Sequence, residues 1–271
     1  MSSPPRGERA GGTPGSPEPA GSLQGALPRG VRREVVSFAR RDGRVHPKIA
    51  RAWSARHDDL LVQPDRLERD ASLDPRWRFD AATVFGRVAP LVVEIGSGTG
   101  EALLAAAAAH PDVDYLGVEV YRPGAAKTVL RADRQGLRNV RVLQADAAAL
   151  LRTGLAEASV AELRVYFPDP WHKLKHHKRR LVTPAFVADA ARVLVDGGVL
   201  RLATDWADYA DQMLHAACAT PEFCNPHAGF SERFEGREMT RFERKGIAAG
   251  RTVKDLYLVR RPRRASDKIG L

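Results

Sequence analysis

Between Phe167 and Arg180 the chain reads FPDPWHKLKHHKRR, an acid-proline turn and an aromatic leading into a run with eight basic or imidazole side chains. The apolar stretch before it, Val160 to Phe167, has the composition of a buried strand, so Asp169 falls where that strand ends. In an open α/β sheet this carboxyl edge is where ligands bind. A carboxylate there can orient a base or balance positive charge. Behind it, Lys175, His176, His177, Lys178, Arg179 and Arg180 suit phosphate oxygens. His172, His176 and His177 do not make a metal site, because the intervening cations would repel an ion and no acid in the run would balance it. Trp171 either stacks on a base or caps the core.

Glu94-Ile95-Gly96-Ser97-Gly98-Thr99-Gly100 sets glycines at alternate positions, with Gly96 and Gly98 where a Cβ would block a ligand from the backbone. The spacing departs from the GxGxxG of dinucleotide sites, and Glu94 beside the same pocket favours a cationic ligand over an anionic one. Glu119, at the end of a second strand, can accept both hydrogen bonds of a ribose diol. Asp146 follows a third strand, placed either to meet an adenine amino group or to cap a helix.

The elements that must position these groups alternate from Leu91 onward. LVVEI (91–95) reads as a buried strand and 101–110 as an Ala-rich helix halted by Pro111. A strand at 115–120, a helix at 123–135 and a strand at 140–145 complete a βαβαβ pattern. Beyond the Asp169 turn, 184–195 reads as a helix with Pro184 in its first turn and Gly197-Gly198 past its end. A strand at 199–204, a helix at 206–219 and a strand at 255–260 follow.

Residues 1–30 hold thirteen Gly or Pro and almost no bulky apolar side chains, which predicts a disordered tail. Residues 31–85 form a basic extension containing SFARRDGR (37–44) and a short amphipathic stretch through Ala50, Trp53 and Leu60. Residues 86–262 form the α/β domain, and 263–271 a basic tail serving either solubility or a weak RNA contact. A net charge of +10 points to an anionic partner. Cys218 and Cys224 have no metal or redox spacing, and no apolar run reaches the roughly 20 residues that span a bilayer. These features predict a soluble cytoplasmic protein without a membrane or metal partner, and leave monomer and homodimer open.

Four acids along one sheet edge resemble the class I S-adenosylmethionine-dependent methyltransferases. Within that class EIGSGTG, GVEVYRPG (117–124), FPDPWHK, LATDW (202–206) and TRFE (240–243) resemble the bacterial tRNA (guanine-N7)-methyltransferase family, whose members modify the variable-loop guanosine at tRNA position 46. The resemblance implies a Rossmann-like, mostly parallel sheet with helices on both faces. It also implies S-adenosyl-L-methionine held near Glu94, Glu119, Asp146 and Asp169. It implies substrate contacts at Lys173, Asp205, Thr240, Arg241, Phe242 and Glu243, and tRNA engaged by 175–180. The chain departs from the family pattern at Arg241, where lysine is usual. Carboxylates at Asp205 or Glu243 suit the N1–H and N2–H donors of guanine. Amino-group methylation of adenine or cytosine is the rival chemistry, but those enzymes carry NPPY or DPPY in place of DPW. A catalytically idle RNA-binding module is the rival of another class, and the complete set of acids argues against it.

Overall fold

The computed structural model describes residues 57–67 and 71–264. The Gly/Pro-rich tail, the SFARRDGR segment and residues 265–271 lie outside the described residues. A four-residue helix α1 (His57–Leu60), strand β1 (Leu61–Val62) and helix α2 (Ala81–Phe85) precede the alternating region. There follow β2 (Leu91–Ile95), α3 (Glu101–Ala109), β3 (Asp114–Val118), α4 (Arg122–Arg134) and β4 (Val140–Leu143). Helix α5 (Ala147–Ala149) runs into a π turn (Leu150–Gly154), and β5 (Val160–Tyr166) leads through a 3₁₀ turn (Leu174–Arg179) to α6 (Pro184–Val193). The last elements are β6 (Leu194–Thr204), α7 (Ala207–Cys218), β7 (Phe223–Cys224), α8 (Arg241–Ala248) and β8 (Lys254–Arg260).

The described strands form one sheet in the order β1-β4-β3-β2-β5-β6-β8-β7. Every pairing from β1 to β6 is parallel, and β8 and β7 close one side antiparallel. The expected Rossmann-like α/β architecture is therefore present. Side chains alternate across the sheet, so β2 supplies both cores. Val92 packs with α3 and α4 through Leu103, Leu104, Ala125 and Val129. Val93 and Ile95 pack on the other face with Phe186 and Val187 of α6 and Tyr209 and Met213 of α7. The strand order reverses at β2, which puts the β2–α3 turn at the switch point where open α/β sheets bind ligands.

Three parts differ from the expectations. Helix α6 ends at Val193, not Val195, and β6 begins at once. It absorbs Gly197-Gly198 in an irregularity where pairing jumps from Val160↔Leu194 to Glu162↔Val199, with Gly197 at φ +78°. Part of the extension is integral to the sheet: Leu61–Val62 pair with β4, and the Phe79 amide donates to the Gly154 carbonyl. At the other end, Arg263 is anchored. It pairs with Glu157 and Asp196 and donates to the carbonyls of Arg192 and Leu194, where cations complement a helix C-terminus. No helix among the described residues is long and apolar enough to cross a membrane.

Candidate active site

The β2–α3 turn folds as the glycines predict. Gly96 and Gly98 have φ of +71° and +57°, and a Cβ on either would meet nothing nearer than 3.9 Å, so the turn leaves open space on its outer side. Gly124 is constrained in the opposite way, since a Cβ there would stand 2.8 Å from the Gly98 carbonyl oxygen. It lets α4 approach the turn. Glu119 ties the two together, with Oε2 accepting from the Gly98 amide and Oε1 from the Tyr121 amide, each at 2.8 Å. Each oxygen keeps a second lone pair for a diol. Burial raises the pKa of Glu119, the backbone donors of Tyr121 and Gly98 oppose the rise, and the nearby Asp169 adds to it.

Glu94 is buried at the end of β2, opposite Arg164 in the register with β5. Its Oε2 has no hydrogen-bond partner, and neither does the buried hydroxyl of Ser97, three residues on in the glycine turn. Burial pushes the Glu94 pKa up to about 7, against the attraction of Arg164 and with the repulsion of Glu162. Asp146 caps α5 by accepting from the Ala149 amide at 2.9 Å. Of the two sequence readings the cap is thus occupied, and the residue stands at the same sheet edge.

Asp169 is exposed, with no hydrogen-bond or ion-pair partner among the described residues. Its turn is bounded by two non-glycine residues at positive φ, Phe167 (53°) and Trp171 (45°). Such conformations cost about 1–3 kcal/mol each and persist only where the surroundings enforce them. Trp171 is half-buried, with the Arg179 guanidinium 5.0 Å from its ring centroid and His176 edge-on at 5.8 Å. Lys173, Lys175 and Lys178 are exposed along the 3₁₀ turn.

Two expected contacts are corrected by the geometry. Arg180 is 4% exposed and holds protein groups on every side: Pro170 O at 2.8 Å, Gln212 Oε1 at 3.0 Å and Asp208 Oδ2 at 2.5 Å. It is therefore not a phosphate ligand. Glu243 is fully buried in α8. Oε1 accepts from Arg233 Nε and Arg237, and Oε2 from Arg233 and Arg237 Nε, at 2.7 to 3.4 Å. Its four acceptor positions are filled, so it cannot also read a guanine edge. Burial raises its pKa, but the bonds from Arg233 and Arg237 outweigh that and leave it below the ordinary value.

Arg237 also bridges to Asp255 of β8 and lies over the rings of Tyr166 and Phe167. This buried ion cluster fastens α8 to the sheet, and the sequence reading missed it. The available signal was TRFE itself, whose T-x-x-E spacing marks a helix start: the Thr240 hydroxyl accepts from the Glu243 amide at 3.1 Å, while the Glu243 carboxylate is taken by the two arginines and does not complete a capping box. Anchored so, α8 backs Asp205 at the end of β6. A Cβ on Gly246 would collide with the Asp205 carboxylate, and Arg251 donates to its Oδ2 at 2.7 Å. Arg241 and Phe242 are exposed on α8. Glu94, Glu119, Asp146, Asp169 and Asp205 thus all belong to one sheet edge, with the exposed lysines following Asp169.

No group of three or more metal-ligating side chains among the described residues could hold an ion. A family model described as "Putative methyltransferase" matches residues 88–256. The solved 16S rRNA methyltransferase KamB is 19% identical with a TM-score of 0.52, covering 68% of this chain and 95% of that one, a likeness of fold. A tRNA (guanine-N(7)-)-methyltransferase of Nocardioides sp. is 47% identical over 84% of this chain and 88% of its own length. One from Paenarthrobacter aurescens is 39% identical over 90% and 97%. At these identities, and with the two chains aligned over nearly their whole lengths, this chain belongs to the tRNA (guanine-N(7)-)-methyltransferase family.

Proposed function

We propose that the protein transfers a methyl group from S-adenosylmethionine to N7 of guanine in tRNA, with the variable-loop guanosine at position 46 as target, in the cytoplasm. The observation that carries this reading is Asp169, exposed and unpaired in a strained turn at the sheet edge shared by the glycine turn and the acids. The cofactor fits that edge. Gly96 and Gly98 leave space beside the backbone, Glu119 offers a diol acceptor, and Glu94 has an unused buried oxygen. When bound, the cofactor supplies an electrophilic methyl on a cationic sulfonium.

Guanine N7 carries an in-plane lone pair and no proton, so its attack needs alignment and exclusion of water more than proton removal. Asp169 accordingly orients the purine and balances charge as it moves onto the base, without acting as a base itself. With Glu243 occupied, recognition of N1–H and N2–H falls to Asp205, held in place by Arg251 and the α8 backbone. Lys173, Lys175 and Lys178 meet the tRNA backbone, and Phe242 offers an exposed ring for stacking. Asp169→Asn separates these roles. Cofactor and tRNA affinity should persist while the single-turnover rate falls at least about tenfold, and a wild-type rate would remove Asp169 from the mechanism.

A further inference from the structure

The geometry points to Arg180 as a positioning residue, one that holds the Asp169 turn in its reactive shape by tying the Pro170 carbonyl to α7; this rests on the methyl-transfer reading above. Arg180 lies eleven residues after Asp169 in the basic run, yet its side chain is only 2% exposed. Nε donates to the Pro170 carbonyl, one peptide beyond Asp169. The two terminal nitrogens donate to Gln212 and Asp208, both on α7, and the guanidinium stands 4.7 Å from the centroid of the Tyr209 ring. His177 Nε2 lies 3.0 Å from the terminal nitrogen that holds Asp208, and because a guanidinium has no acceptor any hydrogen bond between them is donated by Arg180. The same helix face binds the far side of the loop. The Val182 amide donates to the Tyr209 hydroxyl and the Val182 carbonyl accepts from Gln212.

Both ends of the loop therefore converge on Asp208, Tyr209 and Gln212 of α7, and Arg180 alone among these groups reaches the acid-proline turn. Phe167 and Trp171 hold positive φ on either side of that turn, a shape that persists only if something fixes it. Only a planar fork can hold one carbonyl, one amide and one carboxylate in three directions. Lysine keeps the charge and loses the fork.

Arg180→Lys separates positioning from phosphate binding. The expected result at saturating tRNA and cofactor is a single-turnover rate at least about tenfold lower, because small misplacements of reacting groups cost rate steeply. The affinity for S-adenosylmethionine and the salt dependence of tRNA binding should not change. Hydrogen exchange over residues 168–182 should quicken, a readout that needs no methyl transfer. A wild-type rate and exchange pattern in Arg180→Lys would overturn the assignment. So would a loss of about 0.7–0.9 from the log–log salt slope in Arg180→Gln, the signature of one phosphate contact. If thermal unfolding shows that both variants fail to fold, Asp208→Asn on the exposed side of the pair carries the test. It should lower the rate and quicken exchange over 168–182, and wild-type values for both would refute the proposal.

Discussion

Replacing Glu94 with glutamine keeps the shape of the β2 end and removes its charge, which should stabilise the protein and weaken its hold on the cofactor. The carboxyl ionises near 4.5 in the unfolded chain and at about 7 in the fold, chiefly because burial disfavours the anion. Between those values the folded state binds the extra proton, so stability is greatest below the lower value and falls as pH rises through the upper one. At 1.36 kcal/mol per pH unit the separation amounts to about 3 kcal/mol, of which about 2.5 kcal/mol is lost between about pH 5 and about pH 8. Glutamine does not titrate. Urea unfolding of both proteins without cofactor should show Glu94→Gln gaining about 2.5 kcal/mol on the wild type across that range. The same substitution deprives the sulfonium of a buried anion and should weaken S-adenosylmethionine binding by about 1–3 kcal/mol at about pH 8. A stability difference that stays constant with pH would refute burial as the source of the raised pKa.

Neutralising Lys175 and Lys178 together should reduce the log–log salt slope of tRNA binding by about 1.5 and leave cofactor affinity unchanged; an unchanged slope would make the 3₁₀ turn a solvated face. Arg237→Ala strands Asp255 without its buried cation and leaves Glu243 with Arg233 alone, and should cost about 3–5 kcal/mol in urea unfolding, whereas a loss below about 1 kcal/mol would mean that the cluster does not hold α8. With inosine in place of the target guanosine, the missing amino group leaves an acceptor on Asp205 unpaired and should cost about 1–3 kcal/mol in kcat/KM. Asp205→Ala should erase that discrimination, and equal treatment of both bases by the wild type would displace Asp205 as the guanine reader.

The sheet was legible because its strands are buried on both faces and read as continuous apolar runs, as in LVVEI, while the glycines and the acids after each strand mark the carboxyl edge directly. What a linear reading could not separate was the direction of side chains within a charged run. In the 3₁₀ turn, residues three apart share a side. Lys175 and Lys178 face out, while His177 and Arg180 turn toward α7. Composition alone makes all of these residues look like phosphate ligands. Glu243 misled for a related reason, since its partners Arg233 and Arg237, the latter shared with Asp255, are brought to it by the fold. The T-x-x-E spacing at 240–243, with Thr240 as the N-cap, was nevertheless a local signal for α8. The glycine pair at 197–198 broke the strand expectation because a local irregularity, invisible to apolar periodicity, lets β6 pass through it.

The most direct test of the account is to incubate the full chain with unmodified tRNA and S-adenosylmethionine, digest the RNA to nucleosides and identify the methylated product by mass and chromatographic mobility. The account predicts 7-methylguanosine, located to the variable loop by partial nuclease mapping and lost when the target guanosine is replaced by adenosine. Methylation at an exocyclic amino group or on another base, or no transfer to tRNA by a folded protein that binds both substrates, would contradict it.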